Sequence, residues 1–449
     1  MRRWQKIAYG CGSLGIDLAN QTFTAYILFF YLDTLKLDPA LVGLGWGTLY
    51  ALWNAINDPL IGYLSDRTRT RWGRRIPYIL FGTPLLVLSF VFLWMPPEAV
   101  REDSDRLFLY FLGMVLLFDL LYTLVTLNRD ALFPEMFSDP GERARVSALR
   151  VLFSQMGVFL ALVLAPLIFD THGWDAMALL FGVIIGATLL LSLLGSREDP
   201  RFRRAPPLDL KAAFVATFRN RAFLTYTIYH IFNQTAFIML PAMIPFYVKY
   251  VLGLPSRESS VLLGIALLVT VSTLYVWSRA AVRWGTRNTM MVASTLFALA
   301  LLPLLWVKSF WATAIVSVVL GISFGGLFLL PTVFIAEITD EDELLTGTRR
   351  EGIYFGMNAL LVRLAFMLQG LTMAAILNLT GYDANLETQS DRAIWGIRLL
   401  IALVPIAAIG IGLLALRAYP LHGPRLAYLR AQLAKRRAAL GSHREGETL

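Results

Sequence analysis

The sequence predicts an all-α membrane protein of twelve spans arranged as two six-helix halves. Three observations predict it. Of 449 residues, 57% are hydrophobic and 16% charged, against roughly 45–50% and about 25% in soluble domains, and mean hydropathy is +0.61. About twelve segments reach the ~20 mostly apolar residues that a bilayer crossing needs. Lys and Arg also gather in alternate loops, the asymmetry that sets membrane orientation.

The spans are expected over 7–32, 40–65, 77–96, 106–133, 146–169, 175–195, 220–250, 258–278, 289–307, 310–338, 352–380 and 394–416. Met1–Lys6 is too short and polar for a cleavable signal peptide, so the first span is expected to remain as an anchor. Arg2, Arg3 and Lys6 precede it, and the 66–75 loop carries Arg67, Arg69, Arg71, Arg74 and Arg75. Further basic clusters fall in the 196–221 stretch and the 417–449 tail, whereas Glu98–Asp105, Asp170–Asp175 and Asp383–Asp391 are acidic. An even span count with basic loops on one side puts both termini in the cytoplasm of a multi-pass plasma-membrane protein, a bacterial inner membrane being the expected setting. The net charge of +9 is then topology, with anionic lipid as a contact and nucleic acid not a partner. The single cysteine, Cys11, excludes a disulfide framework or a Cys-based metal site.

The charged, Pro-containing connector 196–220 divides an N-terminal bundle, 1–195, from a C-terminal bundle, 221–416, ahead of a cytoplasmic tail, 417–449. The halves echo each other: DRTRTRWGRR at 66–75 and SRAAVRWGTR at 278–287 each follow the second span of their half. Six-helix halves in parallel repeat place a solute site near the midplane between them.

Charged side chains within hydrocarbon cost at least ~2.5–3.5 kcal/mol each and mark candidate sites. Asp17, Asn20, Gln21 and Thr24 of the first span are spaced to share a helical face, and a carboxylate beside amides suits a polyol. In the second span, Asn54 and Asp58 share a face beside Asn57, and Pro59 frees a carbonyl. That set suits a hard cation, or a proton on a desolvated carboxylate. Arg129 and Asp130 are adjacent in the fourth span and so need partners on other helices; gating salt bridges are the expected reading, and Arg150 in the fifth span is similar. Arg363, the sole basic residue of the eleventh span, needs an acid or an anionic ligand, with Asp58 or Asp17 the candidates. His230, Asn233 and Gln234 give the seventh span a polar face read as packing.

Several stretches carry a resemblance: YGCGSLGID at 9–17, WNAINDPLIGYLSDRTRTRWGRR at 53–75, ALFPEMFSDPGERAR at 131–145, DEDELLTGTRREGIYFG at 340–356, and GIRLL with the later YPL between 396 and 421. On these the chain resembles the glycoside–pentoside–hexuronide:cation symporters, the melibiose permease-like branch of the major facilitator superfamily. The resemblance implies a major facilitator fold of two pseudo-symmetric bundles. It implies that Asp17 is the first-helix sugar-binding acid, Asp58 the carboxylate coupling a cation or proton, and Arg363 the eleventh-helix cation near them. Asp66 with Arg67, Arg74 and Arg75 is similar to the superfamily's gating motif. Asn54 stands where such permeases have a second cation-binding Asp, which favours protons, or else a weaker sodium site completed by Asn54 and backbone oxygens. Thr126 stands where they have a fourth-helix sugar-binding Asp.

The expected function is therefore cation-coupled symport of a glycoside, oligosaccharide or uronide by a monomer, with H+ or Na+ as coupling cation and no other cofactor. Asp17, Asn20, Gln21, Thr126, Arg150 and Arg363 are the solute candidates. Asp58, Asn54 and Asn57 are the cation candidates, and Asp66, Arg67, Arg74, Arg75, Arg129 and Asp130 the gating ones. The rival reading is a carrier of an anionic amphipath such as a lysophospholipid. No nucleophile–base pair, His-rich cluster or Gly-rich phosphate loop suggests an enzyme.

Overall fold

The computed structural model describes residues 2–68, 70, 72–137, 139–198, 217–346, 350–429 and 431–433, without the side chains of Ala55, Asp66, Pro134, Pro140 and Glu351. Long apolar runs without water to satisfy their backbone must hydrogen-bond internally, and the described chain forms helical rods accordingly. In the first half these are α1 (Arg3–Phe29, extended by a π-helical Phe30–Thr34), α2 (Pro39–Val42, Gly43–Tyr50 and Ala51–Arg67 end to end), α3 (Ile76–Trp94) and α4 (Ser104–Met136). Rod α5 is Pro140–Phe159 with Leu160–Leu164, continuing into the helix Ala165–Leu194. Gly173, at φ 86° and ψ 164°, breaks that helix, so its remainder is α6. A left-handed φ of this kind is open to glycine without steric cost.

The second half contains α7 (Arg221–Phe246, then Tyr247–Val251), α8 (Glu258–Trp284), α9 (Thr286–Leu301) and α10 (Phe310–Thr346). Rod α11 is Glu351–Val362 and Leu364–Thr380, meeting at Arg363, and α12 runs Asp391–Arg398, Leu399–Leu403 and Val404–Arg417. Among the described residues, nine stretches are long and apolar enough to cross a membrane, and one of them, Gly141–Leu194, holds both α5 and α6. The polar rods α1 and α2 are not in that set.

Helix ends depart from expectation where polar residues extend a rod beyond its apolar run. Rod α5 starts at Pro140 instead of 146, because the Asp139 carboxylate caps it by accepting from the Glu142 N–H at 2.7 Å. The two echo segments also differ. The first is a loop after Arg67, where Thr and Arg alternate, whereas the second completes α8 as far as Trp284, helped by Ala280 and Ala281. Both contain a glycine with positive φ, Gly73 at 109° and Gly285 at 78°.

Within the first half, α1 packs on α5 and α6, and α3 on α4 and α6; within the second, α8 packs on α10 and α7 on α12. The halves meet where α11 crosses the Gly43–Tyr50 part of α2, α1 meets α7, and α8 meets Leu160–Leu164. All of these contacts favour the end opposite the basic loops, called the far end below. The α2–α11 crossing is close: a Cβ on Gly370 would stand 2.8 Å from the Gly47 Cα, and one on Gly47 2.8 Å from the Leu371 nitrogen. Small residues let membrane helices approach backbone to backbone in this way.

Aromatic rings fill the far end. Trp174 stacks on Phe169 at 3.9 Å and on Trp94 at 5.4 Å, and Phe29 of α1 meets Phe246 of α7 edge-on at 5.0 Å. A polar clasp lies beside them. The buried Asp33 carboxylate accepts from Lys249 Nζ at 2.6 Å, Tyr250 Oη at 2.5 Å and Tyr382 Oη at 2.7 Å. Asp33 belongs to the first half and all three donors to the second.

Candidate transport site

Between the halves lies a cavity of about 750 Å³. Its first-half wall carries Asn20, Asn54, Asp58, Asp119, Thr123 and Thr126 among aromatic rings; its second-half wall is Phe355, Ala359, Val362 and Phe366, with Arg363 the sole charge among the described residues. Towards the basic-loop end its lining residues Asp130, Phe355 and Gly356 are exposed. At its floor Phe23 and Phe118 are each 1% exposed. The cavity therefore opens at the basic-loop end and is closed at the far end.

An ion pair crosses the cavity: Arg363 Nη2 of α11 donates to Asp58 Oδ2 of α2, two side chains 305 residues apart in sequence. The other oxygen of Asp58 accepts from the Thr123 hydroxyl at 3.1 Å. One turn deeper, Asp119 of α4 is 4% exposed. Its carboxylate accepts from Asn54 Nδ2 at 2.5 Å, Asn57 Nδ2 at 3.0 Å and Tyr50 Oη at 3.4 Å. Two carboxylates and one guanidinium leave a negative charge uncompensated within this cluster. The amide oxygens Asn54 Oδ1 and Asn57 Oδ1 are buried without a donor.

Asp119 was not among the sequence candidates, although its signal was present. It is the sole charged residue between Arg106 and Arg129, and it lies four and seven residues before Thr123 and Thr126, on one helical face. Asp119 stands two turns, about 10 Å, deeper along the same rod than position 126, where the family resemblance places a fourth-helix acid. Asp33 and Lys249 were likewise passed over, because a pairing 216 residues apart leaves no local pattern.

The first-span set divides. Asn20 lines the central cavity, whereas Asp17 lines a second cavity of about 270 Å³ with Ser13, Ser147, Arg150, Val151 and Ser154. Gln21 lines neither. At about 100° per residue, Asn20 and Gln21 fall on opposite sides of Asp17, so the expected common face is too broad for one cleft. Thr126 lines the central cavity, with its hydroxyl donating to the Tyr122 carbonyl at 2.8 Å.

The gating candidates find partners within the first half. Arg150 pairs with Asp130, so it is an ion-pair partner as well as a cavity residue. Arg129 is fully buried; it donates to the Tyr9 carbonyl at 2.6 Å and the Ser13 hydroxyl at 3.2 Å, and lies over the Tyr9 ring. Among the described residues it has no carboxylate partner, so the expected Arg129 salt bridge is replaced by contacts to α1. Arg74 and Arg75 share Glu135 at 2.7 and 3.0 Å, while the N–H groups of 74, 75 and 76 donate to the Glu198 carboxylate. Arg67 lies over the Tyr63 ring at 3.9 Å. The side chain of Asp66 lies outside the described residues, as does most of the connector. His230 bonds to Asn358 at 3.1 Å in the second half.

Two helical halves around a polar cavity, open at one end and clasped at the other, form the architecture of a secondary transporter. Comparison with known proteins agrees. A model of the family described as MFS/sugar transport protein matches residues 8–423. The chain belongs to this family. It is 27% identical to the glucuronide carrier protein homolog of Escherichia coli (strain K12), over 93% of each chain. It is 23% identical to the sodium-dependent lysophosphatidylcholine symporter 1-A of Danio rerio, over 96% of this chain and 88% of that one. Among solved structures, the nucleoside transporter NupG superposes with a TM-score of 0.68 at 14% identity, covering 93% of this chain and 99% of the other.

Proposed function

We propose that the protein is a cation-coupled symporter of a glycoside, oligosaccharide or uronide, working by alternating access in a plasma membrane with both termini cytoplasmic. The observation that carries this is the central cavity. Amides, hydroxyls and carboxylates on one wall match a polyol, and rings on both walls match the apolar faces of sugars. Its volume lies within the usual range for small-molecule sites. The basic-loop end is then cytoplasmic, and the conformation described is open to the cytoplasm.

Coupling falls to Asp58 and Asp119, whose net charge with Arg363 calls for one monovalent cation. The sequence favoured a proton because position 54 lacks an acid. Asp119 supplies the missing charge, and two donor-free amide oxygens beside two carboxylates form a hard-oxygen set suited to sodium. Sodium is therefore the second reading for the cation. For the solute, the second reading is a lysophospholipid-like amphipath, favoured by a second-half wall that is apolar apart from Arg363.

Uptake into proteoliposomes tests all three points, using glycosides, uronides and lysolipids under separately imposed proton and sodium gradients. Sugar accumulation under either gradient is the expected result, and the gradient that works names the cation. Movement of lysolipid alone overturns the sugar reading. In the same assay, Asp119→Asn is expected to raise the half-saturating cation concentration at least about tenfold, since a lost buried charge contact is worth ~1.5–3 kcal/mol; an unchanged value removes Asp119 from the cation site.

A further inference from the structure

A third cavity, of about 490 Å³, lies at the basic-loop end of the second half and shares no lining residue with the central one. Around it stand Arg219 and Arg221 at the start of α7, Glu341, Asp342 and Leu345 near the end of α10, and Arg350 and Arg425. The two acids are already engaged. Arg350 holds Asp342 through two N–H groups, at 2.8 and 2.5 Å, and Arg425 donates to Glu341 at 2.8 Å. Arg219 and Arg221 are exposed and have no acidic partner among the described residues. Four guanidinium groups therefore face two carboxylates.

The excess is costly where it stands, because both free arginines flank the positive end of a 26-residue helix whose first turn contains no acid. The lining is apolar as well as basic: Leu345 is 76% exposed, and Pro420 lines the cavity with it. Across the cavity, a short tail helix over 423–429 seats Leu426 and Leu429 near Leu344. A soluble anion would satisfy the arginines and leave Leu345 in water. A molecule with both a phosphate and an acyl chain satisfies both.

We infer that this cavity binds an anionic phospholipid of the cytoplasmic leaflet. Arg219 and Arg221 hold its phosphate, and the acyl chain lies along Leu345 and Pro420. Only the choice of leaflet rests on the orientation proposed above. Native mass spectrometry of the full chain in detergent tests the site directly, titrating phosphatidylglycerol, phosphatidylcholine and inorganic phosphate in turn. Phosphatidylglycerol should bind tightly, and Arg219→Gln with Arg221→Gln should weaken it about thirtyfold, at ~1 kcal/mol for each basic residue. A matched Lys pair, Arg219→Lys with Arg221→Lys, should retain most of the binding and shows that loss follows charge and not misfolding. Equal binding by the Gln variant and the parent overturns the site, as does equal binding of phosphatidylcholine. Binding of inorganic phosphate as tightly as the lipid makes it a free-anion site and overturns the lipid. Binding in detergent requires neither orientation nor transport, so its failure leaves the symport reading to its own test.

Discussion

Asp58→Asn is expected to abolish accumulation of solute against a gradient while solute exchange at equal concentrations continues. Among the described residues, Asp58 is the one carboxylate that joins the halves at the cavity, with one oxygen on Arg363 and the other on Thr123. An amide keeps the shape and a hydrogen bond to Thr123, so the solute wall is preserved. It removes the charge that a cation must neutralise, so the loaded carrier no longer needs a cation to cross. One elementary charge moved through ~100 mV is worth ~2.3 kcal/mol, roughly fiftyfold accumulation, and this is the quantity that should disappear. Arg363 would be left without its acid, so Asp58→Asn with Arg363→Gln should recover exchange better than Asp58→Asn alone. Uphill uptake by Asp58→Asn at the parental level excludes Asp58 from coupling.

The second large effect is expected at the far-end clasp. Asp33→Asn removes a carboxylate that accepts from Lys249, Tyr250 and Tyr382 while its own side chain is 4% exposed. Hydrogen bonds to a charged group are worth ~1.5–3 kcal/mol each, and the amide retains part of them. A net loss of ~2–3 kcal/mol shifts the balance between far-end-closed and far-end-open states by about 30- to 150-fold. A cysteine in place of Ser259, fully buried at the start of α8 at the far end, should then react faster with a membrane-impermeant thiol reagent applied from that side, on a background with Cys11 replaced by Ala. Lys249→Met should act in the same direction and less strongly, since Lys249 is half-exposed and supplies one of the three donors. Unchanged labelling in both variants would show that the aromatic rings alone hold that end shut.

The rods were legible because a bilayer imposes its thickness on sequence: about twenty apolar residues between polar loops leave few alternatives. Their ends were less legible. Asp139 followed by Pro140 and Glu142 is a helix-start signal, but it lies among charges that a hydropathy reading assigns to a loop. At the site, Asp58 and Arg363 stood out as isolated charges in apolar runs, and each needed a partner. Asp119 carries the same signal, but the family resemblance places the fourth-helix acid at position 126, seven residues away on the same face. Spacing placed Asn20 on a plausible face but could not separate it from Gln21, because a helical face is wider than the cleft it lines. Partnerships between distant segments, such as Asp33 with Tyr382, depend on how rods cross and have no imprint on local pattern.

The closed far end has an electrical consequence. A wide cavity open to one compartment carries that compartment's potential down to its floor, so the transmembrane voltage falls mainly across the septum beyond it, where Phe29 meets Phe246. Asp58 and Arg363 line that cavity and therefore sit outside most of the field in this conformation. Cation release into the open compartment should then be nearly independent of voltage. The work that the membrane potential performs is concentrated in the step that moves the septum from one side of the charged pair to the other.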